Sequence, residues 1–158
     1  MPSNIGLTHV RAMAVVLLVL LPGLYPACPE AAPAGSPSRL TVSFKLDQRL
    51  SGPTYGGVRW VSPPTFRLAQ GGEQLTVEAK AQGVGADGSY QDVSVEWTPV
   101  DPDMVLVTRG HNNEVTITVK RVGVSKLHLA VQGVVSKELV IKAQAIANGN
   151  GMQVEISQ

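Results

Sequence analysis

The sequence predicts an all-β fold, two antiparallel sheets packed face to face as a sandwich. Three observations lead there. After residue 39, apolar residues recur at every second position almost throughout; Gly, Pro, Asn and Asp punctuate the runs; and no stretch in that part sustains a helical period capped at both ends. Alternation gives each run one apolar face, and stacking two sheets buries those faces against each other. The chain has 158 residues, 44% of them hydrophobic, enough for one ordinary domain with a core but not for a two-domain enzyme. Its 16 Gly and 11 Pro suit many turns between short strands. Thirteen Lys and Arg stand against twelve Asp and Glu, so no strong field steers the domain toward nucleic acid.

Residues 1–34 read as a signal peptide and processing region. His9 and Arg11 precede the apolar run Ala12 to Leu21, too short to cross a bilayer but the right length for a signal-peptide core, and Pro22-Gly23 then breaks any helix. Two processing outcomes are open. Cleavage after Ala34, at Ala32-Pro33-Ala34, releases a soluble protein; cleavage before Cys28 leaves that sulfur at the new N-terminus as a candidate lipidation site. Cys28 is the only cysteine, so an intrachain disulfide is excluded. Residues 30–38, EAAPAGSPS, have the composition of an exposed tether, and folding is expected to start near Arg39.

The elements follow in order. In 40–46, Leu40, Val42, Phe44 and Leu46 share one face of a strand. Gly52-Pro53 and Gly56-Gly57 bracket a turn around Tyr55; residues 58–61 form a short strand that Ser62-Pro63-Pro64 stops. Residues 74–81 alternate Leu75, Val77, Ala79 and Ala81 against polar partners, and 93–98 put Val93, Val95 and Trp97 on one face, Trp97 filling the space between the sheets as a core marker. Runs 104–107, 114–120, 126–131 and 138–143 repeat the pattern. Asn148-Gly149 supplies the positive φ angles of a tight hairpin, which folds Met152, Val154 and Ile156 back on the strand before it. This divides the chain into a tether with a first strand (35–57), a sandwich (58–143) and a hairpin strand (144–158).

Taken together, Gly72, Leu75 to Val77, Asp87-Gly88, Asp92-Val93-Ser94, Val95-Glu96-Trp97, Asp101-Pro102-Asp103-Met104-Val105, and Gly123 with Leu127 and Leu129 resemble the group 2 bacterial immunoglobulin-like domain over residues 58–143. The chain differs from that pattern in Trp97-Thr98-Pro99, where the family usually has W-S-S, and in the longer segment RGHNNEVTITV. The resemblance implies an immunoglobulin-like sandwich of the kind that serves as a spacer or adhesive module on bacterial surfaces. It transfers no ligand, because a fold does not fix a function.

Residues capable of chemistry are few. His111 and His128 lack ligand partners at metal spacing and read as surface histidines; no G-x-S-x-G elbow activates a serine; and GVGADG (83–88) lacks the following helix that a phosphate loop needs. Asp87, Asp92, Asp101 and Asp103 would offer oxygen ligands to Ca²⁺ if their loops met at one end of the sandwich, although turn-forming Asp explains both loops more simply. Tyr55 and Trp60 form a candidate stacking platform for a ligand, against the plainer reading that Trp60 covers an edge of the core. Lys120, Arg121, Lys126, Lys137 and Lys142 are expected at outward or turn positions that blunt sheet edges.

The expected function is therefore a non-catalytic, exported cell-envelope protein, located in the periplasm, outer membrane or cell surface. It takes no cofactor or metal, contacts an envelope protein or glycan, and touches the membrane only through a lipid anchor. The alternative is a carbohydrate- or Ca²⁺-binding module on the same fold. A third expectation is assembly, with strand 152–157 adding to a neighbour's sheet edge by β-augmentation.

Overall fold

In the computed structural model, the described residues are 36–46, 59–131, 135–147 and 150–158. The leader, Cys28, Tyr55 and the Asn148-Gly149 turn lie outside them. Eleven strands run in chain order: β1 (Arg39–Leu46), β2 (Arg59–Val61), β3 (Thr65–Gln70), β4 (Leu75–Val84), β5 (Tyr90–Gln91), β6 (Val95–Pro99), β7 (Val105–Arg109), β8 (Glu114–Val119), β9 (Gly123–Val131), β10 (Val135–Ala145) and β11 (Met152–Ser157). The first sheet has the order β2-β1-β4-β8-β7, with β5 pairing the end of β4; the second has the order β3-β11-β10-β9-β6. All pairings are antiparallel, which is the two-sheet sandwich that the alternation predicts.

The apolar members of each alternating run form one core. Leu40, Val42 and Phe44 of β1 and Leu75, Val77 and Ala79 of β4 face Leu127, Leu129, Leu139, Ile141, Val154 and Ile156 of the second sheet, all buried. Each large aliphatic side chain taken from water contributes about 1.5–3 kcal/mol. Phe44 of β1 and Phe66 of β3 stack across the two sheets, with ring centroids 4.6 Å apart and planes 8° from parallel. The aromatic contact between the sheets is thus this pair. Trp97, expected to fill that space, is half-buried at the core's margin, because β6 is an edge strand.

The structure differs from the expectations at three further points. Ser62-Pro63-Pro64 does end β2, but Thr65–Gln70 continues as β3, a strand whose short Phe66/Leu68 alternation lies hidden between Pro-rich and Gly-rich turns. The folded body begins before Arg39: Pro37 is buried, and the Ser38 N–H and hydroxyl each donate to the Val84 carbonyl at 2.9 Å. A Cβ on Gly83 would lie 2.7 Å from Pro37 Cβ, so glycine at 83 gives this segment its place on β4. The first strand and the hairpin strand are integral to the sandwich, since β1 pairs β4 through six positions and β11 lies inside the second sheet.

β11 does fold back on β10, as the Asn-Gly signal predicts, but its other edge pairs β3 from Met152↔Gln70 to Ser157↔Thr65. With both edges paired, it offers no backbone groups for adding to a neighbour. At the head of this strand Gly151 adopts φ +141°, and a Cβ there would strike the Gln70 carbonyl oxygen, so only glycine suits the crossing.

Candidate functional site

Asp92 precedes β6 and Asp101 follows it, so the two Asp pairs are separated by a five-residue strand, roughly 15 Å at about 3.3 Å per residue. Among the described residues no group of three or more His, Cys, Asp and Glu side chains is placed to hold a metal ion. The loops use aspartate locally instead. Asp87 Oδ1 accepts from the Ser89 hydroxyl (2.7 Å) and N–H (3.0 Å), and these bonds hold its carboxyl below the ordinary value. Asp101 Oδ1 accepts from the Asp103 and Met104 N–H groups, and its Oδ2 pairs with Arg121 at 2.6 Å.

Trp60 lies on the outer face of β2, opposite Lys45. The Lys80 ammonium sits 4.6 Å from its ring centroid, a cation–π contact that occupies one face of the indole. It belongs neither to the core nor to a described cleft. Other outward charges pair across strands: Lys45 with Glu78, Arg67 with Glu155 at 2.7 Å, and Lys126 with Glu138 at 2.8 Å, with His128 Nδ1 3.5 Å from the same carboxylate. The Lys126 hydrogen bond holds the Glu138 carboxyl below its ordinary value, helped by the nearby Lys126 and His128 charges.

Lys137 departs from the outward placement expected of it. It pairs Leu129 across β9, and directly opposed residues share a face, so its side chain points between the sheets. Its Nζ donates to Gln158 Oε1 (2.9 Å) and the Leu40 carbonyl (3.3 Å), and burial, followed by the Arg39 charge, lowers its pKa from the ordinary lysine value. Gln158 completes this cluster. Its Oε1 also accepts from the Val42 N–H (3.3 Å), and its Nε2 donates to the Val42 (3.0 Å) and Pro63 (2.6 Å) carbonyls. The short strand β2 covers β1 only from Phe44 onward, and this side-chain amide pairs with the exposed stretch of β1 edge as a further strand would.

The cleft with varied chemistry lies on the opposite margin, between β6 and the β7–β8 hairpin. It measures about 310 Å³ and is lined by Ser94, Val95 and Trp97 on one side and Arg109, Asn112, Asn113 and Glu114 on the other, with Val115 at the base. Trp97 opposes buried Leu129, and Arg109 opposes buried Val115, so both side chains stand on inner faces where the two sheets part. The hairpin itself is irregular. Gly110 donates its N–H to the Glu114 carbonyl (2.8 Å), while Glu114 donates to the His111 carbonyl (3.0 Å), so two residues oppose one in a bulge. Asn112 and Asn113 take φ of 54° and 61°, the left-handed pair of a tight hairpin turn that asparagine tolerates. His111 is exposed in this turn.

The sequence marked Trp97 and the polar run 109–114 separately; nothing in it brought them together. Lys137 shares the parity of Leu139 and Ile141, which marks the inner face, whereas Gln158 carried no signal; the meeting of the two depends on which residues the sandwich places opposite each other. Compared with known proteins, the chain matches no family model, no curated protein and no solved structure.

Proposed function

We infer that this chain is an exported bacterial cell-envelope protein in which an immunoglobulin-like sandwich acts without catalysis, in a structural, adhesive or protein-interaction role. The observation that carries this reading is the leader: His9 and Arg11, the apolar run Ala12 to Leu21, the break at Pro22-Gly23, and small residues around two processing points. The sequence likeness to the group 2 bacterial immunoglobulin-like domain points to the same setting. The described body is consistent with it, since Glu78, Glu138 and Glu155 tie strands together and Asp87 and Asp101 close turns. The partner is an envelope protein or glycan, reached from the periplasm, outer membrane or cell surface, and Cys28 is the point where lipid would anchor the chain.

The test is fractionation of a bacterial host expressing the full chain, with intact-mass measurement of the mature N-terminus. A mass beginning at lipid-bearing Cys28 or at Gly35, in an envelope or secreted fraction, supports the reading. Full-length chain retained in the cytoplasm overturns it.

A second reading, a ligand-binding module on the same sandwich, is favoured by the cleft beside Trp97. Its calcium form draws no support from the described residues, where the Asp pairs lie apart along β6. Its carbohydrate form draws support from Trp97, the aromatic that lines the cleft.

A further inference from the structure

We propose that the cleft between β6 and the β7–β8 hairpin is a binding site for a short neutral saccharide, with Trp97 as the stacking surface and Arg109, Asn112, Asn113 and Glu114 as the hydroxyl-reading groups. The inference rests on the ligand-binding reading above, and names its site and its ligand class.

The cleft's volume of about 310 Å³ is at the lower end of the roughly 300–1,000 Å³ of small-molecule sites. A short oligosaccharide fits that scale. Trp97 is half-buried, its place on the inner face of edge strand β6 giving the indole a wall on the cleft. The electron-rich face of an indole suits the C–H face of a sugar ring.

The polar groups opposite are uncommitted. Arg67, Arg121, Lys126 and Lys137 all have hydrogen-bonded partners, whereas the side chains of Arg109, Asn112, Asn113 and Glu114 make no hydrogen bond or ion pair among the described residues. They supply both kinds of group: guanidinium and amide N–H donors, carboxylate and amide acceptors. A sugar hydroxyl donates and accepts at once, so a mixed set matches it better than it matches an ion. One guanidinium and one carboxylate also cancel, leaving no net charge to select an anion or a cation.

The cleft's walls are positioned by backbone features. The bulge at Gly110-His111 and the left-handed Asn112-Asn113 pair bring the hairpin tip round to the side where Trp97 faces it.

The chain contains two tryptophans, so Trp60→Phe leaves Trp97 as the sole indole reporter. Titrating this variant with chitohexaose, cellohexaose and maltohexaose, fluorescence should change saturably for at least one, and Arg109→Ala and Asn113→Gly should each weaken that binding tenfold or more. Asn113→Gly keeps the left-handed turn while removing the amide, and unchanged melting of both variants shows that the fold is intact. The proposal is overturned if none of the three gives a saturable change at millimolar concentration or if binding survives both substitutions. An extended peptide that alone saturates the Trp97 signal would keep the ligand-binding reading and overturn the saccharide assignment. Neither result bears on the export test.

Discussion

Replacing Gln158 with alanine tests whether one side-chain amide substitutes for a missing length of strand. The amide makes four polar contacts: two with the Val42 backbone, one with the Pro63 carbonyl and one with the Lys137 ammonium. A net value near 1 kcal/mol for each neutral bond and about 1.5–3 kcal/mol for the charged one gives a gross loss of about 4–6 kcal/mol. Releasing the ordered glutamine side chain returns about 1.5–2 kcal/mol of entropy, and water reaching this half-exposed margin recovers some of the rest. The expected net cost is about 2–3 kcal/mol, or about 8–12 °C in melting temperature for a body of this size. Urea unfolding followed by circular dichroism measures it. The double variant with Lys137→Met should cost less than the sum of the single changes, because the two residues share one network. A loss under about 0.5 kcal/mol, or strict additivity, would refute the claim that Gln158 completes the β1 edge.

Three further substitutions have expected outcomes of the same kind. Phe66→Ala removes one half of the inter-sheet stack from a residue only 5% exposed, and should cost about 3–5 kcal/mol in urea unfolding. Gly151→Ala forces a left-handed φ of +141° on an L-residue and drives a methyl into the Gln70 carbonyl. It should cost at least about 2 kcal/mol, and more than Gly72→Ala, where φ is also positive but the space is open. Glu138, held below its ordinary pKa of 4.5, binds fewer protons folded than unfolded. Its contribution is therefore present above pH 4.5 and lost as pH falls through the folded value. Glu138→Gln should flatten the stability curve on that acid side, measured by denaturation across pH, and added salt should shrink the difference between the two proteins.

The fold is legible in the sequence where the alternation is long and clean. Leu75, Val77, Ala79 and Ala81, or Val115, Ile117 and Val119, announce a half-buried strand in any setting, because a period of two leaves no other way to gather them on one face. It is hidden at β3, whose two apolar residues follow Pro63-Pro64, and at Ser36 to Ser38, whose composition is that of a tether but whose Pro37 lies on Gly83. Trp97 was legible as inward-facing; its place at a margin was not, because strand order decides which inward residue is central and which is lateral. The same holds for the aspartates, which look alike in the sequence but lie at opposite ends of β6.

Sequence alone determined the class of fold, the faces of the long alternating strands, and the turn chemistry of Asp87 and Asp101. Tertiary structure decided everything that depends on pairing across the chain: that β11 is interior and offers no edge, that Lys137 and Gln158 cover the exposed stretch of β1, and that Trp97 meets Arg109 and the Asn112-Asn113 turn across one cleft. The physical reason is range. Side-chain alternation and turn propensity act between residues a few positions apart, whereas strand order and register are fixed by burying all the apolar faces at once, a condition on the whole chain that no local segment expresses.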